Sequence, residues 1–217
     1  LAKEFLKNEI HALLSVLLLE GIYFYNFTTP EFNVNVCQIP FWTLTVYYFW
    51  QCLKTDKIKN WILIGLFAAL GVLSKYLFIY LLFGIVLFFI FNFKKNKKFN
   101  YKCLIPIIVF LLVLTPHFIW LIDNEFKTVF YGLNRTSVAD SNFLSHLLHP
   151  LKFILKQIGI LIPFFGLLYL IILKSKSKSK YKFKFYDEKL VYLTSVTLVP
   201  ILLMLLTSII LGANIRT

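Results

Sequence analysis

The stretch WILIGLFAALGVLSKYLFIYLLFGIVLFFIFNF, residues 61–93, decides the fold. It is predominantly apolar and contains a single charged residue, Lys75, near its middle. As one helix the stretch would be about 50 Å long, whereas the hydrocarbon core of a bilayer is about 30 Å thick, and tilting rarely absorbs such a difference. We therefore predict two short helices, 61–74 and 76–93, that form a hairpin with Lys75 at its turn.

The lysines on either side of this stretch support the hairpin. Three lysines precede it and five follow it: Lys54, Lys57 and Lys59, then Lys94, Lys95, Lys97, Lys98 and Lys102. A single pass would leave one cluster outside, against the tendency of Lys and Arg to remain in the cytoplasm. A hairpin returns both clusters to the cytoplasmic side. Gly65 and Gly71 would let its two helices pack closely.

The composition of the whole chain is typical of a membrane protein. Of its 217 residues, 59% are hydrophobic and 15% are charged, against about 45–50% and about 25% in soluble domains. A soluble domain of this length could not bury so much apolar surface in one core. The net charge of +13 would suggest nucleic acid in a soluble protein. Here the basic residues cluster between apolar blocks, so we predict an integral membrane protein that binds no nucleic acid.

The apolar blocks predict an all-α, polytopic transmembrane helix bundle with about seven spans. The predicted spans are 10–27, 36–53, 61–74, 76–93, 103–121, 152–173 and 190–212. An outer loop at 122–150 and a basic cytoplasmic loop at 174–189 join the last three spans. The basic loop either binds anionic lipid or is simply solvated. The charge distribution places the N-terminus of the chain in the cytoplasm and its C-terminus outside. Because the chain starts at Leu1 beside a span and stops beside another, we expect an internal piece of a longer protein.

Two candidate functional residues lie near predicted outer turns. Glu31 follows Thr29 and Pro30, and it either complements the dipole in the first turn of the second span or has a catalytic or metal-linked role. Lys75 either extends its side chain to the membrane surface or meets a lipid phosphate, which a compact cation suits.

The long outer loop supplies a second candidate cation, Arg135. Its guanidinium could pair with Asp123, Glu125 or Asp140, or bind a phosphate through two parallel hydrogen bonds. Between Asn124 and Arg135, polar and aromatic residues alternate in a way that predicts an amphipathic helix lying on the membrane.

Three further ionisable residues have two interpretations each. His146 and His149 fall on one face of a helix and could share a metal, or they could simply pack or form hydrogen bonds at the interface. Glu20 lies inside the first predicted span, where an ionisable group is either functional or hydrogen-bonded to neighbouring helices.

The chain has no Walker loop and no dinucleotide-binding glycine motif, so we predict no nucleotide cofactor.

The order of these parts is similar to a known family. An outer TTPEF segment precedes a span with an aromatic and basic edge, then comes the hairpin, then a span ending in LTPHFIWL before a long outer loop. The residues that match are Thr29, Pro30 and Glu31 in the loop, and Trp61, Leu63, Gly65, Leu66, Gly71, Leu73, Ser74 and Lys75 in the hairpin. The chain resembles the dolichyl-phosphate-mannose–protein mannosyltransferase-like superfamily of GT-C membrane glycosyltransferases over essentially its whole length.

The resemblance implies an enzyme that moves a sugar from a polyprenyl-phosphate carrier to a lipid, glycan or protein acceptor. The transfer would take place on the extracytoplasmic face of a bacterial inner membrane, as in members that modify lipopolysaccharide. Residues 1–217 would form the central part of one GT-C transmembrane domain surrounded by membrane lipids. Because the family's essential first acidic loop would lie upstream of Leu1, the chain alone is expected to be inactive.

The resemblance also assigns roles to the candidate residues. Glu31 would be catalytic, and Lys75 and Arg135 would bind the carrier phosphate. Four residues would support the site: Thr29, Tyr76, Asn134 and Glu20. Family members often use a divalent metal cation, for which His146 and His149 are the candidates here.

Two other functions fit the same sequence. A non-enzymatic transporter or flippase for a polyprenyl lipid would also need Lys75 and Arg135 but would not depend on Glu31. A structural membrane subunit would depend on none of the three.

Overall fold

The computed structural model describes residues 1–22, 25, 29–96, 101–136, 142–174 and 187–215. These residues form helices joined by turns and contain no strand, which confirms the all-α prediction. The helices are α1 (Ala2–Phe5), α2 (Glu9–Leu17), α3 (Val34–Thr55), α4 (Ile58–Ser74), α5 (Ile79–Asn96), α6 (Leu104–Asp123), α7 (Lys127–Arg135), α8 (Ser145–Lys174) and α9 (Glu188–Leu211). Short 3-10 turns lie at Leu18–Gly21, Thr29–Glu31, Tyr76–Phe78 and Tyr101–Cys103.

The hairpin predicted at residues 61–93 is present, with α4 and α5 as its arms. α4 ends at Ser74, and Lys75 breaks the helix with an extended backbone (φ −160°, ψ 127°) before the 3-10 turn that leads into α5. This turn places the ring of Phe78 against Gly71, where a Cβ atom would collide with the ring. The charged residue that marks the turn in the sequence is therefore also the residue at which the helix ends.

The two arms pack mainly against other helices rather than against each other. α4 lies against α3 and α6, whereas α5 lies against α9. A Cβ atom on Gly65 would lie 2.5 Å from the backbone oxygen of Pro106 in α6, and one on Gly84 would collide with the backbone oxygen of Ser195 in α9. The expectation that both glycines bring the arms together is therefore wrong for Gly65, whereas Gly71 does contact Phe78, at the start of the predicted second arm 76–93. Each arm instead packs against a longer apolar helix, and Gly65 allows the approach of α6.

The apolar block at 10–27 differs from the single helix expected of a span. α2 ends at Leu17, and the next turn brings Gly21 against the backbone of Phe164 in α8. Residues 23, 24 and 26–28 lie outside the described part of the chain. The block contains no glycine or proline before Gly21, so its sequence does not predict that the helix ends at Leu17. The end of the helix coincides with the contact to α8, which is distant in the sequence.

The predicted outer loop at 122–150 is helical at both ends. α7 confirms the helix predicted between Asn124 and Arg135. α8 begins at Ser145, earlier than the predicted start at residue 152. The side chain of Asn142 accepts a hydrogen bond of 3.0 Å from the backbone N–H of Ser145, which satisfies a donor at the start of the helix.

Three of the described helices are long and apolar enough to cross a membrane: α6 with the 3-10 turn before it (Tyr101–Asp123), α8 over Ser145–Leu173, and α9 (Glu188–Leu211). Large apolar side chains such as Leu112 in α6 and Ile172 in α8 are exposed on the surfaces of these helices. This exposure is expected where lipid covers the surface. The chain is therefore a membrane protein. The number of about seven spans stays a prediction.

An aromatic cluster joins α3, α5 and α9 in the core. The ring of Tyr192 is fully buried and lies 5.1 Å from the ring of Trp50 and 5.0 Å from that of Phe88. Its hydroxyl donates a hydrogen bond to the backbone oxygen of Val46. The buried phenol thus has a partner, as such groups require.

The segments predicted to be cytoplasmic meet at one end of the bundle. Lys54 pairs with Glu4, Lys102 lies 2.6 Å from the carboxylate of Asp56, and Lys189 donates to the backbone oxygen of Glu4 at 3.1 Å. The hairpin turn, α7 and the residues after α9 lie at the other end. The predicted grouping of these segments is therefore present in the fold.

Candidate functional site

A cavity of about 380 Å³ lies at the end of the bundle that holds the hairpin turn. The first turn of α3, the hairpin turn, α7 and the end of α9 enclose it. Its polar lining consists of Asn35, Lys75, Tyr76, Tyr80, Arg135, Thr136, Thr207 and Asn214. The described lining residues include two cations and no carboxylate, so the cavity favours an anion.

Lys75 reaches this cavity because the hairpin turn lies beside the start of α3. Its ammonium donates a hydrogen bond to the side-chain oxygen of Asn35. Asn35 is held in place because Asn33 caps α3, accepting from the backbone N–H groups of Asn35 at 3.0 Å and of Val36 at 3.3 Å. Burial and the positive charge of Arg135 lower the pKa of the Lys75 ammonium below its ordinary value. Lys75 therefore lines a cavity rather than only reaching the membrane surface.

Arg135, the last residue of α7, lines the same cavity. Within the described part of the chain it forms no ion pair with Asp123 or Glu125, and Asp140 lies outside that part. The structure thus brings together the two cations that the sequence suggests for a phosphate, although they come from distant parts of the chain.

The hydroxyl of Tyr76 joins three elements beside the cavity. It lies 3.0 Å from Nε2 of His117 in α6 and 2.8 Å from Oγ1 of Thr128 in α7. The His117 ring in turn stacks on Trp120, with the ring centroids 6.0 Å apart. His117 was not among the residues predicted from the sequence. The sequence feature that could have identified it is a lone imidazole after Pro116 in an otherwise apolar span.

Glu31 lies in the 3-10 turn before α3, with its side chain exposed, and does not line the cavity. The expectation that it belongs to the first turn of the helix is wrong, because Asn33 is the residue that caps α3. Glu31 precedes Asn35 by four residues, so an extended chain would separate them by at most about 14 Å. Its catalytic role stays a prediction.

The other predicted supporting residues have different surroundings. Thr29 donates to the backbone oxygen of Tyr25 at 2.6 Å, and Glu20 lies in the turn that follows α2. Asn134 is exposed on α7 beside Arg135. Of the four supporting residues, only Tyr76 lines the cavity.

The two candidate metal ligands connect α8 to the end of α9. Nδ1 of His146 lies 2.7 Å from the backbone oxygen of Ile209, and Nδ1 of His149 lies 2.7 Å from that of Gly212. The described residues contain no group of three His, Cys, Asp or Glu side chains that could hold a metal. These observations favour the hydrogen-bonding interpretation of the two histidines, and a divalent metal stays a prediction.

Asn214 is a further cavity residue that the sequence did not single out. Its backbone N–H donates to the oxygen of Thr136 at 2.8 Å, which ties the segment after α9 to the end of α7. No local pattern marks this contact, because it joins two segments far apart in the sequence.

Comparison with known proteins gives one match. The family described as dolichyl-phosphate-mannose-protein mannosyltransferase matches residues 1–120, more than half of the chain. The matched part contains Glu31, Lys75 and His117, whereas Arg135 lies beyond it. No curated protein and no solved structure matches the chain. The resemblance drawn from the loop and hairpin residues is thereby confirmed, and the chain belongs to the dolichyl-phosphate-mannose-protein mannosyltransferase family.

Proposed function

We propose that the chain is the carrier-binding part of a membrane glycosyltransferase. It would take a sugar from a polyprenyl-phosphate carrier and pass it to a lipid, glycan or protein acceptor on the extracytoplasmic face of a bacterial inner membrane. Family membership supports the glycosyltransferase class. The observation that carries the proposal is the cavity in which Lys75 and Arg135 meet without a described carboxylate.

The lining of the cavity suits both halves of such a carrier. The two cations would stabilise the phosphate as negative charge builds on it during departure. Apolar side chains beside them, including Leu77, Leu133 and Leu211, would contact the first units of the prenyl chain.

Glu31 would supply the base that the reaction requires. The acceptor hydroxyl oxygen would attack the anomeric carbon while the bond from that carbon to the phosphate oxygen breaks, and the electron pair of that bond would leave with the phosphate. The acceptor's proton would pass to the Glu31 carboxylate, in the role of a general base.

The proposal is tested with the full-length protein in nanodiscs and radiolabelled polyprenyl-phosphate sugars. We expect label to move to a lipid, glycan or protein acceptor. If the protein binds the carrier but no acceptor becomes labelled, the transporter or flippase becomes the better explanation. If the protein neither binds the carrier nor transfers the sugar, a structural subunit becomes the better explanation.

Anion binding should also depend on pH through Lys75. Burial and the charge of Arg135 lower the pKa of its ammonium, whereas a bound phosphate would favour the charged form and raise that pKa. Affinity should therefore be constant below the lowered pKa and fall as the pH rises through it, by up to about tenfold per unit.

The measurement is the affinity for a short polyprenyl phosphate between about pH 7.5 and about pH 10.5. Lys75→Arg is the matched control, because a guanidinium stays charged throughout this range. We expect a flat profile for this variant. An equal fall in wild type and Lys75→Arg would show that another group causes the pH dependence.

A further inference from the structure

α7 carries Arg135 to the cavity, yet packing alone holds the helix weakly. None of its nine residues is buried. Two large side chains of the helix, Phe130 and Tyr131, are each more than half exposed. A membrane surface in contact with these side chains would set the depth of α7, but it would not fix the position of the helix relative to the hairpin turn.

Among the residues that the structure describes, two hydrogen bonds link α7 to its neighbours, one at each end. In its first turn, Thr128 Oγ1 lies 2.8 Å from the hydroxyl of Tyr76. Just after its last turn, the backbone oxygen of Thr136 accepts from the backbone N–H of Asn214 at 2.8 Å. Between them lies Arg135, so the position of its guanidinium depends on both links.

Tyr76 is suited to this link because its hydroxyl both donates and accepts. Its second partner is Nε2 of His117, at 3.0 Å, and the stacking of that imidazole on Trp120 keeps it in place. The phenol therefore joins the hairpin turn to α6 and α7 at once. The chain between α6 and α7 turns sharply through Glu125 and Phe126, both with positive φ (52° and 54°). α7 follows this turn, and the hydrogen bond between Tyr76 and Thr128 restrains it.

We propose that Tyr76 is a positioning residue that holds Arg135 opposite Lys75 by anchoring α7 through Thr128. The inference rests on the proposed function, in which the two cations bind one carrier phosphate. The hairpin turn then sets the positions of both charges. It carries Lys75 itself, and it positions Arg135 through the adjacent tyrosine. The tyrosine acts on the phosphate through the geometry of the cation pair.

The first test is the affinity of the full-length protein for a short polyprenyl phosphate. Thr128→Val preserves the shape of the side chain but removes the hydroxyl, and Thr128 does not line the cavity. We expect Thr128→Val and Tyr76→Phe each to weaken binding by about three- to tenfold, which corresponds to the loss of one hydrogen bond. Thr128→Ser, which retains a hydroxyl, should restore most of the affinity. Tyr131→Phe is the matched control on the exposed side of α7, and it should bind like wild type.

A double-mutant cycle separates positioning from a merely structural role. In an Arg135→Ala background, Thr128→Val should have almost no further effect on affinity, because the residue that it positions is gone. Additive losses would overturn the inference, since Thr128 would then act independently of Arg135.

The second test does not depend on carrier binding. Spin labels at Leu73→Cys near the hairpin turn and Tyr131→Cys on α7 would report the distance between the two elements, in a background where the three native cysteines are replaced by alanine. We expect a narrow distance distribution that broadens with Thr128→Val and stays narrow with Thr128→Ser. An unchanged distribution in Thr128→Val would overturn the inference alone. Absence of phosphate binding by wild type would instead overturn the proposed function, and with it the role of Arg135.

Discussion

Replacing Lys75 by alanine should weaken the binding of a polyprenyl phosphate by about 10- to 100-fold. A hydrogen bond between charged groups contributes about 1.5–3 kcal/mol, and about 1.4 kcal/mol corresponds to a factor of ten in affinity. The ammonium of Lys75 is half-buried and lines a cavity whose described lining holds no carboxylate. A bound phosphate would therefore lose one of its two cationic partners. Arg135→Ala should have a smaller effect, because its side chain is exposed and water screens its charge.

The matched control is Lys59→Ala at the opposite end of the bundle. Lys59 is exposed, and it lies in the first turn of the same helix that ends beside Lys75. It tests whether removing any positive charge weakens binding through the overall field of the protein. Titration calorimetry or native mass spectrometry of the nanodisc-embedded protein measures both variants. Equal affinities for wild type and Lys75→Ala would remove the hairpin lysine from the carrier site.

The position of Lys75 could be predicted from the sequence because two independent restraints act on residues 61–93. The length of the apolar stretch disfavours a single span, and the lysine clusters on both sides favour an even number of crossings. The only charged residue then marks the turn. Both restraints are properties of composition and length, so neither needs knowledge of a distant contact.

The meeting of Lys75 with Arg135 could not be predicted in the same way. Charge alone identified each residue separately as a candidate for phosphate, and only the family resemblance assigned both to the carrier phosphate. Their proximity depends on where α7 lies, and the contacts of Tyr76 with Thr128 and of Asn214 with Thr136 join segments far apart in the chain. A periodic pattern indicates that α7 is a helix, but it carries no information about the neighbour that its first turn contacts.

The histidine pair shows the same limit. The spacing of His146 and His149 indicates one helical face, which is correct. Their partners are backbone oxygens of Ile209 and Gly212 at the end of α9. The last carbonyl groups of a helix lack partners within it, so they readily accept from side chains of a neighbouring helix. Spacing alone cannot distinguish this use of an imidazole from metal binding.

Glu31→Gln should lower the rate of sugar transfer by about 100-fold or more while leaving carrier affinity within about twofold of wild type. The amide has nearly the shape of the carboxylate but cannot take the acceptor's proton, and general bases typically contribute about 10²- to 10⁴-fold. Glu31 does not line the cavity that holds Lys75 and Arg135, so removing its charge should hardly affect the phosphate. Transfer and binding are both measured on the full-length protein, with radiolabelled carrier.

The comparison of Glu31→Gln with Glu125→Gln tests whether Glu31 is the base. Glu125 is also exposed, lies beside α7 and does not line the cavity, so its replacement removes a similar charge without removing the proposed base. If Glu31 takes no part in proton transfer, both variants should keep their turnover. If Glu31 is the base, only its own replacement abolishes transfer. Because a transporter or flippase needs the cations but no base, loss of transfer with intact carrier binding also separates the enzyme from that alternative.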